Sequence, residues 1–178
     1  RNLEIVETVV RVNDARKQAM VQKIVAACGG AVAGKRLAVL GLTFKPNTDD
    51  MRDAPSLVIL PALAAAGAEI RAFDPEGMDE AKKLLPGLFY CADPYEAIEA
   101  ADALILLTEW NAFRALDLAR IRSLLRTPLV IDLRNIYEPQ QMVEAGLDYV
   151  SVGRPALRQA QDGPARPALD VIPGRALA

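Results

Sequence analysis

Residues Gly41 to Ser56 read GLTFKPNTDDMRDAPS and gather several chemically capable side chains into one stretch. Lys45 and Arg52 are cations suited to phosphate oxygens, the lysine as a point charge and the arginine as a planar fork. Phe44 offers an aromatic wall beside them, and Asp49, Asp50, Asp53 and the later Asp74 offer carboxylates. A solvated loop tied by local ion pairs has the same composition. Exposed pairs contribute little, and spacing alone favours that plainer reading.

Other chemistry is scarce. The chain has no histidine, so imidazole metal ligands, Ser-His-Asp triads and Cys-His dyads are excluded. Cys28 and Cys91 have no CxxC spacing for zinc and are too few for a disulfide framework. Both are expected to be structural, in a reducing, cytoplasmic setting. Asp74 precedes Pro75, where a helix cap is a better reading than a ribose-binding acid. Trp110 in Thr108-Glu109-Trp110 could cover a base, but core packing is favoured. Arg134 follows Asp132 and, taken alone, reads as a surface arginine. No nucleophile, general base or metal site emerges.

These residues need a frame. Hydrophobic residues are 52% and charged residues 25% of the 178, a globular composition with room for one domain of ordinary size. Lys+Arg is 21 against Asp+Glu 23, a formal charge of −2. With a pI near 5.3 a whole-surface nucleic-acid binder is disfavoured. No apolar run reaches the roughly 20 residues of a membrane helix, and the opening residues do not read as a secretory signal. The chain opens on Arg1 and runs directly into a helical pattern, which raises the expectation of a piece of a longer polypeptide.

Leu3, Val6, Val10, Met20 and Ile24 fall at helical spacing, so residues 1–28 read as one long helix closed by Gly29-Gly30. Short apolar strands then alternate with helices. Strands are expected at 36–42, 69–73, 88–90, 103–107, 129–133 and 149–152. Helices are expected at 55–66 (with Asp53 as N-cap), 76–85, 94–101, 116–125 and 139–145. Alternation of this kind implies parallel strands joined by crossovers, with both faces covered. The expected fold is α/β, a Rossmann-like doubly wound parallel sheet preceded by a long helix. The expected division is helix 1–30, ligand domain 31–153 and a flexible tail 154–178. Ligands of such sheets bind beyond the carboxyl ends of the strands. That places Gly41–Ser56, Asp74-Pro75, Thr108–Asn111 and Arg134–Tyr137 around one crevice suited to a phosphorylated ligand. The GxGxxG turn of a dinucleotide site is missing after the first strand, so NAD is not expected there in the usual way.

Five segments resemble one family in order and spacing: Gly41–Ser56, VNDARK at 12–17, FDP at 73–75, DPYEAIEAADALILLTEW at 93–110 and DLRNIY at 132–137. They resemble the C-terminal UDP-binding domain of the UDP-glucose/GDP-mannose dehydrogenase family, over about residues 1–152. The resemblance implies that an NAD-binding N-terminal domain with the catalytic cysteine lies upstream, and that the first helix is the end of the central, dimer-forming helix. The family oxidises the C6 alcohol of a nucleotide sugar to a carboxylate with two NAD. Phe44, Lys45 and Arg134 match positions that contact the UDP-sugar, and Arg52 matches an arginine that reaches the NAD. The TEW and FKPNTDDMRD segments look most like the branch that acts on UDP-glucose. That branch makes UDP-glucuronate for polysaccharides.

The family's GFGGSC motif, catalytic lysine and asparagine, acid/base glutamate and GxGxxG loop have no counterpart here, and Cys28 in AACGG is not the catalytic cysteine. The chain alone is therefore expected to be inactive. The alternatives are a non-catalytic nucleotide-sugar-binding or dimerisation module, the same half of a GDP-mannose or UDP-N-acetylmannosamine dehydrogenase, and a structural domain with an empty crevice.

Overall fold

The computed structural model describes residues 4–159. It begins with helix α1 (Glu4–Ala27), and then strand and helix alternate. Strand β1 (Arg36–Leu40) leads to α2 (Ser56–Ala65), β2 (Glu69–Phe73), α3 (Met78–Leu84) and β3 (Phe89–Tyr90). Helix α4 (Pro94–Ile98) then leads to β4 (Ala103–Leu106), and α5 (Asn111–Arg114) and α6 (Leu118–Leu124) to β5 (Leu129–Asp132). Helix α7 (Pro139–Glu144) and β6 (Asp148–Ser151) complete the order. All six strands are parallel, in the order β3-β2-β1-β4-β5-β6. This is the doubly wound Rossmann arrangement, and the chain reverses direction across the sheet between β1 and β4.

Alternation along each strand sorts side chains onto two faces. Leu37, Val39, Ile105 and Ile131 pack beneath α1 and α2 with Ile24, Ile59 and Leu63. Ala38, Leu40, Leu104 and Val130 face the other way, against Ile98, Phe113, Ile121 and Met142 of α4–α7. Burying each large aliphatic contributes about 2 kcal/mol. Among the described side chains of α1, those of its last turns join this core. Met20 and Val21 are half-buried and Ile24 is fully buried, whereas Val9 and Val12 are about half exposed, at 53% and 50%. Leu3 and the side chains of Val6 and Val10 lie outside the described residues.

The sequence reading needs three adjustments. Asp53 is not the cap of α2: it adopts a left-handed φ of 57°, Pro55 occupies the cap position, and no side chain caps that end. The stretch before α6 contains the short helix α5, which has too few residues to show a period. Residues 154–159, assigned by sequence to the tail, lie along the outer edge of the sheet. Tyr149 and Leu157 exchange backbone hydrogen bonds at 2.7 and 2.9 Å, and Gln159 N–H donates to Asp148 at 2.7 Å. An unpaired strand edge attracts any chain with free backbone groups, which outweighs the Pro- and Arg-rich composition there. The remainder of that segment, 160–178, lies outside the described residues.

Candidate functional site at the switch point

The loop after β1 starts from a forced glycine. Gly41 has φ 89°, and a Cβ there would sit 2.6 Å from the Thr108 Cβ. Only glycine tolerates both. The close approach lets β1 and the end of β4 touch: Thr108 Oγ1 donates to the Thr43 carbonyl at 2.8 Å. Leu42 and Thr43 are buried, and Ser56 Oγ from α2 donates to the Leu42 carbonyl at 2.5 Å.

Asp74, at the end of β2, organises this stem. Its Oδ2 accepts from the Leu42 N–H at 2.7 Å, the Thr43 N–H at 3.2 Å and the Trp110 indole N–H at 3.3 Å. Its Oδ1 accepts from the N–H groups of Glu76 and Gly77 at 3.0 and 2.7 Å. The carboxylate is 1% exposed, so it is a keystone of the loop rather than a ligand group. It is not the cap expected from the sequence, because Gly77 holds the cap position of α3 and no side chain caps that end; Asp74 instead ties the turn before the helix and anchors Trp110 in the core. Beyond this rigid stem the chain turns outward. Phe44 is 48% exposed, Lys45 is exposed, and the Phe44 N–H donates to the Asp50 carbonyl at 2.9 Å to close the loop. Lys45 forms no ion pair among the described residues.

A second buried aspartate does the same for β5. Asp132 is 0% exposed. It accepts from the N–H groups of Arg134, Ile136 and Tyr137 at 2.9, 2.7 and 3.1 Å and from the Tyr149 hydroxyl at 2.7 Å. Asn135, at φ 55°, clasps the backbone of Val152 with both ends of its amide, at 3.0 and 2.9 Å. Arg134 is thus held on either side. Its guanidinium reaches Glu109 at the end of β4, with Nη2 donating to Oε1 at 2.6 Å and Nε to Oε2. This pairing holds the Glu109 carboxyl below the usual range for glutamate.

Arg52 lies elsewhere. It forks onto Asp50, with Nη2 to Oδ2 at 2.8 Å, and pulls the Asp50 carboxyl down to about 2. Together with Leu57, Glu80 and Leu84 it lines an open hollow of about 640 Å³ toward α2 and α3. Phe44, Lys45 and Arg134 do not line that hollow. Phe44, Lys45 and Arg134 instead stand at the carboxyl ends of β1 and β5, on either side of β4.

Sequence reasoning missed Glu109, the clamping by Asp74 and the cage around Asp132. A signal for the last two was present: each is an aspartate at a strand end, followed by free backbone N–H groups. The turn after β1 does not fit a dinucleotide. Leu42 and Thr43 occupy its stem, and the acid at the end of β2 is consumed by protein donors. Neither cysteine is poised for chemistry. Cys28 is half-buried, which pushes its thiol up to about 11, and Cys91 is buried and likewise raised. No group of His, Cys, Asp or Glu suited to a metal occurs among the described residues.

Comparison with known proteins agrees with this fold. Residues 38–139 match the model of the UDP-glucose/GDP-mannose dehydrogenase family, UDP binding domain. The chain is 55% identical over 153 residues to UDP-glucose 6-dehydrogenase of Rhizobium meliloti (strain 1021), covering 86% of this chain and 35% of that protein. UDP-glucose 6-dehydrogenase YwqF of Bacillus subtilis (strain 168) is 43% identical, with 88% and 36% covered. The chain thus spans about a third of the length of these relatives. Among solved structures, the UDP-glucose dehydrogenase from the archaeon Pyrobaculum islandicum superposes with a TM-score of 0.67 at 29% identity, covering 83% of this chain and 32% of that one. The NDP-N-acetyl-D-galactosaminuronic acid dehydrogenase from Methanosarcina mazei Go1 gives 0.72 at 29%, covering 81% and 30%. The fold, the switch-point loop and the matched span together show that this chain belongs to the UDP-glucose/GDP-mannose dehydrogenase family, within its UDP-binding domain.

Proposed function

We propose that the chain is the UDP-sugar-binding half of an NAD-dependent UDP-glucose 6-dehydrogenase. The observation that carries this reading is the placement of Lys45 and Arg134. Both sit on braced backbone at the ends of β1 and β5, flanking β4 at the reversal of strand order. Two cations so placed suit a diphosphate, and Phe44 supplies an apolar wall beside them. The Rhizobium and Bacillus relatives favour UDP-glucose as the sugar nucleotide.

In the whole protein the C6 alcohol of UDP-glucose is oxidised to the carboxylate of UDP-glucuronate, with two NAD+ reduced and one water consumed. This chain's share is to bind and orient the nucleotide end and to help close the site against water. NAD, which supplies the oxidising power, is held by a separate N-terminal domain that Arg52 reaches from this one. The half-exposed stretch of α1 around Val9 and Val12 pairs with a second copy, and the setting is the cytoplasm. No helix among the described residues is long and apolar enough to cross a membrane.

Calorimetric titration with UDP, UDP-glucose and GDP-mannose tests this. Saturable binding of the two uridine ligands is expected, weakened about tenfold by Lys45→Ala or Arg134→Ala, the loss of one charge-assisted contact. The chain alone is expected to leave NAD+ unreduced. Failure of UDP to bind, or equal binding of GDP-mannose, would overturn the reading.

A further inference from the structure

We propose that Glu109 is a positioning residue for the anionic ligand: it grips one edge of the Arg134 guanidinium and leaves the other edge to the phosphate. The inference rests on the proposed function, because it assumes that Arg134 meets the diphosphate. Three observations carry it. The first is the pattern of the fork. Glu109 accepts from Nε and Nη2, so the Nη1–Nη2 edge is the one that remains, and no described residue accepts from it. An arginine has five donors in a rigid plane, so fixing one edge aims the other.

The second is that Glu109 is itself held. Its chain neighbours are Thr108, tied to the Thr43 carbonyl, and Trp110, tied to Asp74. The backbone that carries Glu109 is therefore fixed at the end of β4. The third is that the Thr108 tie runs to the stem carrying Phe44 and Lys45, and the Trp110 tie reaches it through Asp74. The end of β4 thereby sets the position of the β5 cation relative to the β1 cation. Holding a flexible side chain in its bound conformation beforehand lowers the entropy lost on binding. The opposing consequence is electrostatic, since a carboxylate beside the site repels an anion. The two effects have opposite signs, so affinity decides between them.

The test is a double-mutant cycle on the 178-residue chain, read by calorimetry with UDP as the probe. Glu109→Gln keeps the shape and removes the charged grip. It is expected to weaken UDP binding about fivefold, on the order of one ordinary net hydrogen bond. In the Arg134→Ala background the same substitution is expected to change nothing, because the group it positions is gone. Thermal melts of each variant separate loss of fold from loss of affinity, and a variant that melts early is replaced by Glu109→Asp, which retains charge on a shorter arm. Tighter UDP binding by Glu109→Gln overturns the proposal and makes Glu109 a competitor for Arg134. An equal effect with and without Arg134 also overturns it, since Glu109 would then act elsewhere. Absence of UDP binding by the unsubstituted chain overturns the underlying functional reading instead.

Discussion

Asp74 carries more of the site's architecture than any residue expected to touch ligand. Its two oxygens meet backbone donors from the β1 loop on one side and from the entry to α3 on the other. Asn at this position replaces one acceptor by a donor facing N–H groups. Asp74→Asn is expected to cost about 2–4 kcal/mol, read by urea denaturation, because buried donors lose their partner. A loss under about 0.5 kcal/mol would show that water replaces the carboxylate. Tyr149 plays the matching part under β5. Its hydroxyl donates to Asp132, and burial raises its pKa, as it does that of Tyr137. Because the folded state holds both phenols neutral, their stabilisation is full below the ordinary tyrosine range near 10 and is lost as pH rises beyond it. Tyr149→Phe is expected to lower stability by about 1–2 kcal/mol at pH 8. The variant should also lose less between pH 8 and 10.5 than the parent, as compared by denaturant midpoints.

The elements are positioned by a few residues at their ends. Gly41 ends β1 in a left-handed conformation with Thr108 directly against it. Gly41→Ala is expected to cost about 3 kcal/mol or more, combining the φ penalty with the clash, and to abolish UDP binding by moving the stem. Gly87, exposed in the turn before β3 with open space around it, is the control: Gly87→Ala should lie within about 0.5 kcal/mol of the parent. Helix α4 has only five residues and depends on its cap, with Asp93 Oδ1 accepting from the N–H groups of Tyr95 and Glu96 and Pro94 opening the helix. Asp93→Ala should lower the thermal midpoint, at a cost of about 1 kcal/mol.

For the molecule as a whole, α1 divides into two parts. Its last turns close the sheet through Ile24, while Glu7 to Val9 and Arg11 to Arg16 are exposed. Deleting residues 1–16 removes no side chain known to be buried in the sheet core. The truncated chain is expected to melt cooperatively, yet to run as a monomer in size-exclusion chromatography with light scattering where the parent runs as a dimer. A monomeric parent would remove α1 as the pairing element. Ile24→Ala, by contrast, should cost about 2–5 kcal/mol, because it opens a cavity under the sheet.

Periodicity and punctuation determined most of the fold. Apolar runs at 103–107 and 129–133 are continuous because strands buried on both faces have no solvent side to mark. Pro94 and Pro139 announced helix starts through their missing N–H. The family match was legible for a related reason: the loop at 41–56 must satisfy backbone, aspartate and glycine constraints together, and few sequences do. What remained for the tertiary structure was pairing between residues far apart in the chain. Asp74 reads locally as a cap, yet Gly77 holds that place and Asp74 serves donors at Leu42, Thr43 and Trp110. Arg134 reads as a surface cation until β4 brings Glu109 beside it. Arg52 reads as a partner of Lys45, seven residues away, until Asp50 takes up its guanidinium and it lines the hollow toward α2 and α3. Local pattern records which groups need partners, whereas the order of strands in the sheet decides which partners they find.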